Sequence, residues 1–118
     1  PKPGALEREH YTIRSSDGGL VLRGVTELAL EHAMWDLLHR LGYRQFFPGK
    51  NWEVIPKIDT LSIAVDADES PDYANRRIWY GYGLWEHNRE VYPDWEAKNR
   101  MGGGFTLNTG HAYGRLSE

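Results

Sequence analysis

The chain has 118 residues with 14 basic and 17 acidic side chains, a net charge of −3, and neither sign gathers into a long stretch, which argues against a nucleic-acid partner. No run approaches the ~18 apolar residues of a membrane helix, and no cysteine is present, so disulfides, thiolate metal sites and cysteine nucleophiles are excluded. The distinctive excess is aromatic: five Trp, seven Tyr and three Phe, 13% of residues, rings that fill a core or line a ligand cleft.

Residues 1–9 are rich in Pro and charge and are expected to be loosely held. Tyr11–Arg14 alternates apolar and polar residues, Ser15–Gly19 supplies turn chemistry, and Leu20–Leu22 follows; two short β-runs around Asp-Gly-Gly predict a hairpin. Thr26 suits a helix N-cap, with Glu27 favourably placed in the first turn. Leu30, Met34, Leu37, Leu38 and Leu41 then fall on one helical face, the expected core face. Gly42 suits a left-handed C-cap. Tyr43–Phe47 reads as a strand reached through this helix, an order that predicts a right-handed parallel βαβ crossover. Leu61–Val65 alternates as another strand, and the acidic stretch 66–72 reads as a connecting loop. Beyond it, Arg76–Tyr82 is strand-like, Asp94 is placed to cap a short helix through Arg100, and Phe105–Asn108 reads as a further strand. The fold class is therefore α+β, with a small mixed sheet.

The candidate chemistry is sparse. His32 and His39 lie two helical turns apart, about 10 Å, too far to share one ion, and His87 and Glu90 have no obvious third ligand. Gly81 and Gly83 lack the third glycine of a dinucleotide fingerprint, and Gly102–Gly104 lacks the Lys-Ser/Thr of a phosphate loop. No Gly-x-Ser-x-Gly elbow is present. No metal or cofactor is expected. Asp66, Asp68, Glu69 and Asp72 are numerous, but a solvated loop would hold no two of them in register for acid–base work; Glu86, Glu90 and Asp94 lie nearer the aromatic region. The run Arg76, Arg77, Trp79, Tyr80, Tyr82, Trp85 and His87 has two readings. Flat rings beside cationic donors suit a hydroxyl-rich sugar ring, and alternate residues of a strand equally suit a core.

The order Gly24-x-Thr26, Leu38-x-x-Leu41-Gly42-Tyr43-Arg44, Phe47-Pro48-Gly49 and Trp52-Glu53-Val54-Ile55-Pro56-Lys57 resembles an accessory α+β domain. That domain precedes the (β/α)8 barrel in β-N-acetylhexosaminidases and α-glucuronidases. The likeness is strongest to a bacterial domain-of-unknown-function family of the same layout. It covers residues 11–57 and runs on through Pro71-x-Tyr73-x-x-Arg76 as the opening of a first barrel strand. It implies an accessory domain over 1–65, an acidic linker over 66–75 and the start of a barrel over 76–118. Residues 71–118 fall far short of the about 250 that a closed barrel needs. A non-catalytic portion of a carbohydrate-active protein, periplasmic or secreted, is therefore implied. Its partners would be carbohydrate and the remainder of the parent polypeptide. Arg76 matches an arginine that bonds sugar hydroxyls in hexosaminidases, although Arg77 replaces the glycine that follows there. His111 would fall near the end of a later strand, at the catalytic face of the barrel; with Arg76 and with Trp79 and Trp85 of the aromatic run it makes up the expected sugar-binding set. The alternative is a self-contained interaction module that binds a partner, or itself, through an aromatic surface and a sheet edge.

Overall fold

The computed structural model describes residues 4–76 and 90–101. The predicted hairpin forms: β1 (Tyr11–Ser16) pairs antiparallel with β2 (Gly19–Gly24). The turn places Gly19 at φ 141°, a conformation that costs glycine little and other residues a great deal. Alternation along β1 turns Tyr11 and Ile13 inward, and Ile13 is fully buried.

Helix α1 (Glu27–Arg40) begins and ends where its signals lie. The Thr26 side chain accepts the Ala29 N–H at 3.1 Å, and Thr26 itself is extended. At the other end Gly42 takes φ 103°. The Gly42 N–H bonds to the His39 carbonyl and the Tyr43 N–H to the Leu38 carbonyl, both at 3.0 Å. Together they form a complete Schellman closure.

The buried face of α1 differs from the leucine stripe expected from periodicity. Ala29, His32, Ala33 and Asp36 face inward; of the expected stripe Leu37 packs on the core, while Leu30, Met34 and Leu38 are 40%, 56% and 39% exposed. The cause is close approach. A Cβ on Gly24 would sit 2.4 Å from the Leu30 backbone nitrogen, so strand and helix touch backbone to backbone. At that separation alanines fit against Ile13, and a row of leucines would not.

The βαβ crossover does not form. Strand β3 (Arg44–Gln45) pairs antiparallel with β4 (Glu53–Val54) in a separate ribbon, and never joins the β1–β2 sheet. Between them Pro48, Gly49 at φ 103° and a 3-10 turn over Lys50–Trp52 reverse the chain. Proline forbids a continued ladder and disfavours helix in the residue before it, so the chain doubles back onto its own neighbour. Phe46 and Phe47 are consequently 60% and 58% exposed, with Phe47 against the Trp52 ring at 5.1 Å.

The third strand of the main sheet is β5 (Asp66–Glu69), giving the order β2-β1-β5, antiparallel throughout. Leu61–Val65, expected as a strand, has no ladder of its own, although Val65 is buried and Ile63 packs on the core. The acidic stretch read as a linker therefore begins as a strand. Its charges are matched across the sheet: Asp66 pairs with Arg14, and Asp68 Oδ1 lies 2.7 Å from His10 Nε2. Ala67 points the other way, opposite Ile13 and into the core.

Helix α2 (Tyr92–Lys98) carries Pro93 in its first turn, and Val91 occupies the N-cap position without a side-chain cap bond. Asp94, expected to cap, lies inside the first turn and pairs with Lys98 at 2.8 Å. The Trp95 indole N–H donates to the Gln45 carbonyl at 2.8 Å and ties α2 to the β3–β4 ribbon. Of the strand expected over Arg76–Tyr82 only Arg76 is among the described residues, of the barrel opening expected over 76–118 only Arg76 and 90–101, and the strand expected over 105–108 lies wholly outside them.

Candidate functional site

Buried charge collects where α1 leaves the sheet and the segments 70–76 and 99–101 cross it. His32, Asp36 and Arg40 are spaced four residues apart and share one side of α1, while Glu9 ends a 3-10 turn before β1. Two of the clefts lined by described residues border this charge. One, of about 270 Å³, is lined by Glu9, Glu69, Ser70, Asp72, Arg76 and Asn99 among others. The second, of about 390 Å³, is lined by Asp36, His39, Arg40, Arg44, Asn99 and Arg100.

Glu9 is 5% exposed, and its carboxylate is gripped by both terminal nitrogens of Arg76, at 2.6 and 3.4 Å. His32 Nδ1 lies 3.3 Å from the same carboxylate. Burial lowers the His32 pKa and the Arg76 guanidinium adds to that; the Glu9 charge opposes both and is outweighed. His32 is therefore held neutral below its ordinary titration point.

Asp36, 4% exposed, is the second hub. Its carboxylate accepts from the Tyr11 hydroxyl at 2.9 Å and from Arg40 at 3.1 and 3.3 Å, and Arg100 Nη1 stands 3.3 Å away. Burial first, and then the Asp36 hydrogen bond, push the Tyr11 phenol up to about 12. The bond to Asp36 also raises the Arg40 pKa. Arg40 reaches Glu69 at 3.4 Å as well, so helix, hairpin and β5 are joined through one carboxylate–guanidinium network.

Arg100 has φ 55°, the one non-glycine residue with positive φ among those described. It stands where a helix ordinarily ends in glycine: its N–H bonds to the Ala97 carbonyl, and the Met101 N–H to the Glu96 carbonyl. A side chain in that conformation costs about 1–2 kcal/mol. What offsets the cost is visible in the contacts. The Arg100 side chain donates to the Tyr11 hydroxyl at 2.8 Å and stands 3.3 Å from Asp36; its backbone carbonyl separately accepts from Arg76 at 2.8 and 3.3 Å.

Of the four residues expected to bind sugar, Arg76 lies at the first cleft, and Trp79, Trp85 and His111 lie outside the described residues. All five Arg76 N–H groups are spent inside the protein, on Glu9, the Tyr73 carbonyl and the Arg100 carbonyl. His32 and His39 occupy different settings, His32 on Glu9 and His39 stacked parallel to Tyr43 at 6.2 Å. Among the described residues no group of three or more His, Asp or Glu is placed to hold a metal ion.

Glu9, Tyr11, Asp36 and Arg100 did not emerge from sequence. The one available signal was the i, i+4 spacing of Asp36 and Arg40, which ordinarily marks a solvated helix face. In comparisons with known proteins, no family model, no curated protein and no solved structure matches the chain.

Proposed function

We propose that this chain is a non-catalytic α+β portion of a carbohydrate-active protein, and that it supports a sugar-binding cleft by holding the segment that leads into it. The carrying observation is the engagement of Arg76, which spends every donor in fastening residues 73–76 and the end of α2 to Glu9. Arg76 on this reading braces the cleft wall and does not grip the sugar. Sugar hydroxyls would meet Glu69, Ser70 and Asp72, which line the same cleft and offer carboxylate and hydroxyl groups, and the amide oxygen of Asn99, whose nitrogen is spent on the Gln45 and Trp95 carbonyls. The test is calorimetric titration of neutral saccharides. Saturable heat that Asp72→Asn weakens supports the reading, and absence of binding to any saccharide overturns it. Turnover of aryl glycosides by the chain, lost in Asp94→Asn, would overturn its non-catalytic part.

A second reading, an interaction module, is favoured by exposed apolar surface. Leu30, Met34 and Leu38 form a bare stripe on α1, and Phe46, Phe47, Trp52 and Ile55 are more than half exposed on the β3–β4 ribbon. Patches of this kind mark contact sites. Concentration-dependent dimerisation in sedimentation, abolished by Met34→Lys and unaffected by saccharide, would favour this reading over the first.

A further inference from the structure

We propose that the second cleft binds the oxyanion group, carboxylate or phosphate, of a small ligand through Arg40, Arg44 and Arg100. Three guanidinium groups line this cleft of about 390 Å³ against one carboxylate, Asp36, in a chain whose net charge is −3. The local excess of positive charge is therefore a property of this site and not of the surface at large.

Each guanidinium is held by part of its donor set and keeps the rest. Arg40 uses Nε and Nη2 on Asp36 and Glu69, leaving Nη1. Arg100 uses Nη1 on Tyr11 and Asp36, leaving Nε and Nη2. Arg44 uses Nη1 on the His39 and Tyr43 carbonyls, leaving Nε and Nη2. Guanidinium forks match the oxygens of carboxylate and phosphate, and side chains already pinned lose less freedom when a ligand arrives. Arg40 and Arg100 converge because the same oxygen of Asp36 faces both. Their charges neutralise Asp36, which would otherwise repel an anion, and Glu69, 3.4 Å from Arg40, is not among the residues that line this cleft. The conformational cost borne at Arg100 acquires a second reason here: glycine would end the helix more comfortably and would leave the cleft without its third cation.

His39 supplies a built-in reporter. Its ring lines the cleft, its Nε2 is buried without a partner, and its pKa is lowered first by burial and then by Arg100 and Arg44, with Asp36 opposing. An anion among the arginines opposes their effect and raises that pKa.

The experiment titrates the full chain with inorganic phosphate and, separately, with acetate. It follows the His39 imidazole signals by NMR against chloride at matched ionic strength. A saturable shift and an upward move of the His39 pKa are expected, with affinity about tenfold weaker in Arg44→Gln. Arg44 bonds only to carbonyls of its own turn and is exposed, so this variant should keep its fold; Arg40→Lys, which keeps charge but loses the fork, is the second. A response to phosphate alone assigns a phosphoryl ligand, and one to acetate alone assigns a carboxylate; either supports the proposal. A response equal to that of chloride, or unchanged in both variants, overturns it. The outcome is independent of saccharide binding at the neighbouring cleft.

Discussion

Arg76→Ala isolates the energetic centre of the molecule. The variant leaves Glu9, 5% exposed, without the guanidinium that contacts both its oxygens. Breaking a buried ion pair from one side costs about 3–5 kcal/mol. The Arg76 side chain is itself 25% exposed, so water can enter the vacated space and the lower limit, about 3 kcal/mol, is expected. In a chain of this length that lowers Tm by about 12 °C. The loss should depend on pH in a specific direction. Arg76 helps to keep His32 neutral; without it the imidazole protonates more readily and supplies Glu9 with a substitute cation. The penalty is therefore largest near pH 8 and shrinks on acidification. Urea unfolding followed by Trp fluorescence at pH 8 and pH 5.5 measures both effects. A change below about 0.5 kcal/mol at pH 8, the size of an ordinary surface substitution, would refute the assigned role of the pair, as would an identical loss at the two pH values.

Gly24→Ala should destabilise by about 1–3 kcal/mol through overpacking, because its Cβ meets the α1 backbone, whereas Gly18→Ala, with nothing within 4 Å, should be near neutral in the same urea assay. Arg100→Gly should be more stable than Arg100→Ala by about 1 kcal/mol, since both lose the side-chain contacts and only alanine keeps the left-handed strain; equal values would remove the conformational explanation. Burial lowers the pKa of both His32 and His39 from 6.5, so below that pH the unfolded chain binds more protons than the folded one. Stability should then fall as pH drops below 6.5 and level off above it, with a slope of at most about 1.4 kcal/mol per pH unit for each group. The slope should be less for His39, which is nearer to solvent. A calorimetric series from pH 5 to 8 reads this, and His32→Gln should flatten it.

Sequence alone determined the features governed by local backbone conformation. Asp17-Gly18-Gly19 closes the hairpin, Thr26 opens α1 and Gly42 ends it, because turn and cap chemistry is settled within a few residues. Tertiary structure decided everything that depends on what arrives from a distance. Which face of α1 is buried follows from how near Gly24 lets strand and helix come, and so alanines won over leucines. Whether 66–69 is a linker or a strand follows from Arg14 and His10, which face its carboxylates across the sheet. Arg76 shows the same division. Its position hinted at a ligand, and only the folded chain brought Glu9 and the Arg100 carbonyl within reach of its donors. Dihedral preferences act between neighbours, whereas close packing and charge pairing act between residues that only folding brings together.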